Sequence, residues 1–278
     1  MSIDLAKNYL PYTDEIFTQE SKKSLVTNND FKFSGAAEVL IYKVTTGSMN
    51  DYGRSGASGG NWSRYGAVES LDATLEKFLL KKDRSFTFAI DTLDSDETLQ
   101  QLSGASALAR QLREVVIPEV DSHIYSVMVE GAGTKPAAVA LTESNIYDEI
   151  IKGSAALDNA LVPETGRVLL VTPDVYLLLK KDKNIAMETD IANDMRLKGV
   201  IGTIDGLKVV KVAASRFPEN FGFMIAHPVA TCAPIKLESF IMHRNPPGIN
   251  GTLVEGRVVY DAFVLDNKKS AIYYQEIE

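Results

Sequence analysis

The amino-acid sequence predicts an α+β fold. Strand-like segments with a period of two residues occur near both ends of the chain, and one unusually long stretch in the first half has helical periodicity. Shorter helical and strand patterns alternate in the remainder. With 278 residues, 45% of them hydrophobic and 24% charged, the chain can bury one large core or two modest ones.

The first segment, residues 1–34, is polar and irregular. It carries too few periodic apolar residues to fold alone, so we expect an extended arm. Its beginning, MSIDLAKNYLPYTDEIF, lacks the basic and apolar regions of a signal peptide, and no apolar run approaches the ~20 residues of a membrane helix. We therefore expect a protein that is made in a cytoplasm and does not enter a membrane.

The second segment predicts an oversized hairpin over residues 35–92. Its first arm is the β-rich run AEVLIYKVTT, and its tip is the glycine-rich stretch MNDYGRSGASGGNWSRYG. The chain returns through LEKFLLKKDRSFTFAID, in which Phe86, Phe88 and Ile90 alternate with small or polar residues. Such alternation is typical of a strand with one buried face.

The third segment predicts one long helix over TLQQLSGASALARQLREVVIPEVDSHIYSVMVE. Asp94 and Glu97 have the spacing of a capping box at its start. Pro118 removes a backbone donor, but the apolar stripe resumes after it, so we expect a bend there rather than an end. The stripe consists of Leu99, Leu102, Ala105, Ala109, Leu112, Val116, Val120, Ile124 and Val127.

The remainder predicts mixed helices and strands. The helix over ESNIYDEIIKGSAALDNAL carries Ile146, Ile150, Leu157 and Leu161 on one face, and RVLLV is typical of a buried strand. Thr172 is placed to cap the next helix, TPDVYLLLKK. Strand patterns follow in GTIDGLKVVKVA, FGFMIA, KLESFIMH, VEGRVVYDAFVL and SAIYY, and the stiff turn RNPPGINGT joins the third of these to the fourth.

Composition excludes several classes of function. The net charge of −8 disfavours a nucleic-acid-binding module, because such proteins neutralise phosphates with an excess of basic side chains. The single cysteine, Cys232, excludes an intrachain disulfide, and we expect it to be a small buried hydrophobe. Neither glycine pattern of the phosphate-binding loops occurs, so we expect no cofactor.

Two local patterns could carry catalytic or metal chemistry. Ser58 lies in GASGG, which satisfies the G-x-S-x-G pattern of a serine nucleophile. That elbow needs a buried strand directly before it and a helix directly after it, and the sequence predicts neither. His123 lies one helical turn beyond Glu119, with Asp121 nearby, but no second histidine has ligand spacing. A flexible loop and a solvated helix face are the simpler interpretations, and we expect neither a catalytic nor a metal site.

Several segments, in their order along the chain, resemble one family of proteins. The string MNDYGRSGASGGNWSRYG is followed by KKDRSFTFAID, VVIPEVDSHIYS and VEGRVVYDAFVLDNKKSAIYY. Together with FTQESKKSLVTNNDFKF, VPETGRVLLVTPDVYLLLK and GTIDGLKVVKV, this order is similar to that of major capsid proteins of tailed bacteriophages of Gram-positive hosts, which have the Hong Kong 97-type (HK97-like) capsid fold. The resemblance extends from about Ile16 to Tyr274.

This resemblance implies a division of the chain into the parts of that fold. The long helix would be the spine helix of the peripheral domain, bent at Pro118, and the oversized hairpin would be the extended E-loop. The implied segments are an N-terminal arm (1–34), the E-loop hairpin (35–92), a peripheral domain with the spine helix and a long β-hairpin (93–140 and 236–265), and an α/β axial domain (141–235 and 266–278).

The resemblance also implies a function. The chain would be a structural major capsid protein, not an enzyme, that self-assembles through hexamers and pentamers into the icosahedral shell of a virion around a double-stranded DNA genome. Assembly would take place in the cytoplasm of the bacterial host. In the prototype of the family, a lysine of the E-loop cross-links subunits covalently. Because this sequence has no lysine from Val44 to Glu76, we expect no such cross-link.

The implied partners include more than copies of the same chain. Some family members carry a long scaffolding segment that is cleaved off, and 34 polar residues are too few for it, so we expect a separate scaffolding protein. A portal protein would occupy one vertex, and the packaged DNA would be held without sequence-specific binding.

The tip of the hairpin is the candidate site. Tyr52, Trp62 and Tyr65 can bury aromatic area against an adjacent subunit, and Arg54 and Arg64 can bind carboxylates there. The glycines would let the tip adapt to different neighbours. Two alternatives remain open: an encapsulin-type compartment, whose shell has the same fold and holds enzymes, and a serine hydrolase that uses Ser58.

Overall fold

The computed structural model divides the chain into two compact units, a small one over Phe33–Leu80 and a large one made of the remaining residues. Each unit is described by itself. The structure describes residues 21–28, 38–44, 46–56, 62–70, 73–93, 104–182 and 203–278.

The small unit is a hairpin of two antiparallel strands. Strand β1 spans Glu38–Val44 and strand β2 spans Ala73–Leu79, and the pairing runs from Glu38 opposite Leu79 to Val44 opposite Ala73. The hairpin is therefore confirmed, but its return arm is β2, and the predicted return arm extended too far.

The alternating segment that was assigned to the return arm is a strand of a different sheet. Phe86, Phe88 and Ile90 are half-buried while their neighbours are exposed, so the predicted strand and its buried face are confirmed. Alternation shows that one face is buried but does not identify the partner strand. The strand belongs to a three-stranded antiparallel sheet of the large unit, in which β10 (Gly251–Tyr260) lies between β3 (Lys82–Asp91) and β9 (Ile235–Arg244).

The long helix is continuous over its described length and contains a wider turn. Helix α1 spans Gly104–Gln111, a π-helical segment spans Leu112–Val116, and α2 spans Ile117–Glu130. The backbone N–H of Ile117 donates to the carbonyl of Leu112, five residues back. Pro118 lies in the first turn of α2. A proline ring crowds the carbonyl four residues before it in an α-helix, so a wider turn at this point is physically reasonable.

The apolar stripe of this helix is confirmed on one side of the wider turn only. Val120 and Ile124 are buried, whereas Ala105 and Ala109 are exposed, contrary to the prediction. A π-helical turn takes an extra residue, so it rotates the face that precedes it relative to the face that follows. Helix α1 contacts the three-stranded sheet at Gly104, where an added Cβ would lie 3.0 Å from a methyl group of Thr252. The capping residues Asp94 and Glu97, with the first part of the stripe, lie outside the described residues.

The main core surrounds a five-stranded sheet. Every residue of its central strands, β4 (Val168–Val171) and β7 (Phe221–Ala226), is buried. The strands are antiparallel except for β4 and β6 (Leu207–Lys211), which are parallel to each other. In spatial order they are β12 (Ile272–Glu276), β7, β4, β6 and β5 (Thr203–Ile204). A separate pair joins β8 (Thr231–Cys232) to β11 (Phe263–Val264).

Two helices flank strand β4 of this sheet in the sequence. Helix α3 spans Ile146–Asn159, and an added Cβ at Gly153 would lie 2.8 Å from Ile225 of β7, so this face of α3 packs directly on the sheet. Helix α4 spans Pro173–Lys181, and its predicted cap is confirmed because the side chain of Thr172 accepts a hydrogen bond from the backbone N–H of Val175. None of the helices in the described part of the chain is both long enough and apolar enough to cross a membrane.

One face of α3 agrees with the prediction except at its end. Ile146, Ile150 and Leu157 are buried, but Leu161 is 90% exposed. The helix ends at Asn159, and the backbone of Leu161 has a positive φ, so its side chain leaves the helical face.

Residues 21–28, which fall within the expected arm, belong to the large unit and pack against its other residues. Val26 is fully buried, and the backbone N–H of Asn28 donates to the carbonyl of Thr231. The hydroxyl of Ser21 donates to a buried carboxylate, that of Asp121, over 2.7 Å. Asn28 also forms a β-bridge with Cys232, which is buried as expected.

Candidate intersubunit surface

The base of the hairpin tip is held by hydrogen bonds to one carboxylate. The backbone N–H of Ser48 donates to Glu69 Oε2 over 3.0 Å, and the Ser48 hydroxyl donates to Oε1 over 2.7 Å. These bonds stabilise the ionised form and hold the pKa of the Glu69 carboxyl below its ordinary value. The two sides of the tip are thereby joined across 21 positions of sequence.

Two positions of the tip, Gly53 and Gly66, leave no room for a side chain. The N–H of Gly53 donates to the carbonyl of Arg64 over 2.9 Å, and a Cβ at Gly53 would overlap the carbonyl oxygen of Gly56. Gly66 has a φ of +93°, a conformation that side chains oppose, and a Cβ there would lie 2.7 Å from that of Asn50. At these positions the glycines permit close approaches of the backbone.

The aromatic side chains of the tip are exposed. Trp62 is 86% exposed, Tyr65 77% and Tyr52 51%. The rings of Tyr52 and Tyr65 contact each other edge to face, with their centroids 5.0 Å apart. This is a favourable geometry for an aromatic pair, and it leaves much of both rings uncovered.

The cations of the tip are exposed as well. Neither Arg54 nor Arg64 has a side-chain partner within the residues that the structure describes, and both side chains lie at the surface. An arginine without a local carboxylate can bind one on another molecule through two parallel hydrogen bonds. The tip therefore combines exposed aromatic area with exposed guanidinium groups.

The structure brings some of the predicted residues together and adds others. Tyr52 and Tyr65 touch, and a hydrogen bond joins the backbone of Arg64 to that of Gly53. Met49 is 99% exposed and Val68 73%, and neither was predicted. Their signal in the sequence is slight, since each is a single apolar residue in a polar loop.

A serine hydrolase needs a histidine to act as the base of its nucleophile, so the partners of the three histidines matter for that alternative. His123 Nε2 lies 2.7 Å from a carboxylate oxygen of Asp261, and His243 Nε2 lies 3.3 Å from one of Glu255. His227 Nε2 lies 3.1 Å from a backbone carbonyl, and its Nδ1 accepts from a backbone N–H. Each histidine thus has a local partner, while Ser58 lies outside the described residues.

The carboxylates that were considered as metal ligands bind other side chains instead. Glu119 accepts hydrogen bonds from Arg84 and from the hydroxyl of Tyr260, and Asp121 is bound to Arg216. Asp261, the partner of His123, also accepts from the backbone N–H of Lys81. Across the described ranges, no group of three or more candidate side chains could hold a metal ion.

Comparison with known proteins identifies the family. The sequence profile of a phage capsid protein family matches residues 73–274. No curated protein sequence matches the chain. Among solved structures, one described as Mycobacterium phage Che8 superposes with a TM-score of 0.77 at 18% identity, and the match covers 99% of this chain and 98% of the other.

Two further structures extend this similarity. The capsid of cyanophage P-SCSP1u superposes with a TM-score of 0.76 at 13% identity, covering 98% of this chain and 93% of the other. A virus-like particle from Pyrococcus furiosus has a TM-score of 0.58 at 11% identity, with 92% of each chain covered. These likenesses confirm the Hong Kong 97-type fold, and the encapsulin alternative has less support because the matching family is one of phage capsid proteins. The chain belongs to the phage capsid protein family and is a structural major capsid protein.

Proposed function

We propose that the hairpin tip is a surface through which each copy of the chain holds a neighbouring copy in the shell. The observation that carries this proposal is the exposure of Trp62, Tyr65 and Arg64 on a tip that has its own internal hydrogen bonds. Tryptophan, tyrosine and arginine are the side chains that contribute most to protein interfaces when they become buried. Backbone that these hydrogen bonds already hold also loses little conformational entropy when it binds.

The shell explains why a small surface on each copy suffices. Identical subunits in a closed shell meet through heterologous contacts that close by symmetry. Because many such contacts act together, each can be modest. Tyr52 and Arg54 enlarge the tip surface, and binding to a carboxylate on the adjacent copy is the role proposed for Arg54 and Arg64.

The test is the double variant Trp62→Ala/Arg64→Ala. The purified variant should have the circular dichroism spectrum and unfolding midpoint of the wild type, because neither side chain supports the fold of its own chain. Negative-stain electron microscopy should show shells for the wild type and unassembled subunits for the variant. Shells of unchanged yield and shape would overturn the proposal.

A matched control removes a similar pair of side chains elsewhere. Leu177 and Lys181 are exposed on helix α4, one helical turn apart. The variant Leu177→Ala/Lys181→Ala also loses one large apolar group and one cation, and alanine is favourable in a helix. We expect it to assemble as the wild type does. Equal loss of assembly in both variants would show that the effect is not specific to the tip.

The role of Pro118 is a second part of the proposal. We expect the helix to bend at Pro118 in an early shell and to straighten when the shell expands, as a two-state element. In support, a cavity of about 120 Å³ lies against the π-helical segment, lined by Val115, Val116 and Val258 among others, and it gives these side chains room to move. Pro118→Ala should alter expansion, and Pro173→Ala, at the first position of α4, is the control. Normal assembly and expansion of Pro118→Ala would contradict this role.

The other proposed partners are those that a shell needs in order to assemble and to be filled with DNA. A separate scaffolding protein, a portal protein at one vertex and non-specific contact with DNA complete the proposed assembly in the host cytoplasm. The net charge of −8 suits a container whose contents must enter and leave. The chain is proposed to have no catalytic activity, so an ester-hydrolysis assay should give the same background for the wild type and for Ser58→Ala.

A further inference from the structure

The end of helix α3 forms a complete Schellman motif. The N–H of Val162 donates to the carbonyl of Leu157 over 3.1 Å, and the N–H of Leu161 donates to that of Asp158 over 2.9 Å. Both apolar residues that accompany this motif, Leu157 and Val162, are buried in the main core. The motif thus ends the helix and satisfies its last carbonyl groups.

The residue at the left-handed position of this motif is unusual. Leu161 has a φ of 55°, where glycine is the common residue because it has no Cβ. Its side chain is 90% exposed, so within the described chain it gains no burial in return. Leucine at this position therefore adds backbone strain and exposes apolar surface, and neither helps the isolated fold.

Hydrogen bonds and an ion pair hold the loop that carries Leu161. Arg167 is 3% exposed, and its guanidinium group binds the carboxylate of Asp158 over 2.7 Å and the carbonyl oxygens of Val162 and Pro163. His227 lies 3.1 Å from the carbonyl oxygen of Thr165. Because a buried arginine and a histidine fix both sides of the loop, Leu161 is presented in one orientation.

We infer that Leu161 is an intersubunit contact that inserts into an apolar surface of a second copy of this chain. The inference rests on the chain acting in a shell, but it concerns the large unit and does not depend on the hairpin tip. A rigid, exposed leucine on strained backbone lowers the free energy of the system only where another molecule covers it. In a shell built from one chain, the surface available at every copy is another copy.

The flanks of Leu161 restrict the kind of surface that receives it. Ala160 and Pro163 are exposed and extend the apolar patch, and Glu164 is exposed with no side-chain partner among the described residues. The receiving surface is therefore apolar, with a hydrogen-bond donor or a cation at its edge. Because Leu161 of one copy inserts into a different surface of the next copy, the proposed contact is heterologous.

The test compares three substitutions at this one position. Leu161→Gly and Leu161→Asn remove the apolar group and suit the left-handed conformation, whereas Leu161→Met keeps an apolar side chain of similar size. We expect the glycine and asparagine variants to unfold at the same temperature as the wild type or higher. We also expect them to need about tenfold more protein for assembly, because the loss recurs at every copy. The methionine variant should assemble as the wild type does.

The measurements are thermal unfolding of dissociated subunits and sedimentation of purified chain over a range of concentrations. Loss of assembly together with retained or raised stability supports the contact, because a merely structural residue would lower both. Wild-type assembly by Leu161→Gly overturns the inference while leaving the proposed function intact. A wild-type chain that forms no shells at any concentration, either alone or together with its scaffolding protein, would instead remove the proposed function, and this inference with it.

Discussion

The hairpin and the five-stranded sheet differ in how much of their surface is buried. Every residue of the central strands β4 and β7 is buried. In the hairpin, Phe78 is the one buried side chain among those that the structure describes between residues 43 and 80. Because burial of apolar area is the dominant favourable contribution to folding, the central strands of the sheet should contribute more to stability than the described side chains of residues 43–80. The tip of the hairpin is proposed to bind another copy of the chain, and the two regions should respond differently to substitution.

The largest effect is expected at the centre of the sheet. Phe223 is fully buried in β7 and stacks against Tyr273. Phe223→Ala should lower the free energy of unfolding by about 4 kcal/mol, because it removes apolar contacts and leaves a cavity. Urea denaturation of the unassembled chain measures this. A loss of under about 1 kcal/mol would show that the sheet is not the stabilising region.

The next effect concerns the buried ion pair of the large unit. Arg216 donates to Asp121 over 2.6 Å, and both side chains are almost fully buried. Arg216→Met leaves the carboxylate without this partner and should cost about 3 kcal/mol. The double variant Arg216→Met/Asp121→Asn should recover part of that loss, since no buried charge remains. If the double variant is as unstable as the single one, packing rather than charge explains the effect.

Alkaline pH should weaken the large unit next. Burial, with the nearby carboxylate of Glu119, raises the pKa of Tyr260 from 10.0 to about 12, and burial also raises the pKa values of Tyr125, Tyr273 and Tyr274. Below about pH 10 these phenols are protonated in the folded and the unfolded chain alike, so stability does not change. Above it the unfolded chain releases protons that the folded chain retains, and stability falls. Urea titrations from pH 8 to about pH 12 test this, and a flat profile would contradict it.

The smallest effect on stability is expected at the tip of the hairpin. Trp62 is 86% exposed, so Trp62→Ala should change the free energy of unfolding by less than about 0.5 kcal/mol. The same urea titration that detects the loss in Phe223→Ala provides the reference. A cost above about 2 kcal/mol would mean that the chain buries Trp62 itself, and the contrast between the two regions would fail.

Local patterns in the sequence predicted local structure well. The cap at Thr172, the strand FGFMIA and the half-buried alternation of Phe86 and Phe88 were all correct. In each case, residues within a few positions of one another determine the structure. The order of segments likewise sufficed for the family, which the match over residues 73–274 confirms.

Two of the errors concern contacts between residues that are far apart in the sequence, and another concerns the end of a helix. The pairing of β3 with β10 brings Phe86 opposite Gly256, and no local period encodes such a choice. The docking of residues 21–28 had only a short apolar signal, Leu25 and Val26. The exposure of Leu161 depends on where a helix ends and on one dihedral angle, which a helical-face pattern does not contain. The five tip residues were predicted from composition, whereas Met49 and Val68 were identified only from their exposure in the structure.

The burial of Cys232 has a practical consequence. Its side chain is 1% exposed, and it is the only cysteine of the chain, so a thiol-specific reagent finds no accessible native target in the folded molecule. One engineered cysteine at an exposed position would therefore be modified alone. Because every copy would carry that single handle, dyes, sugars or antigens could be arrayed on a particle at a spacing that the protein itself determines.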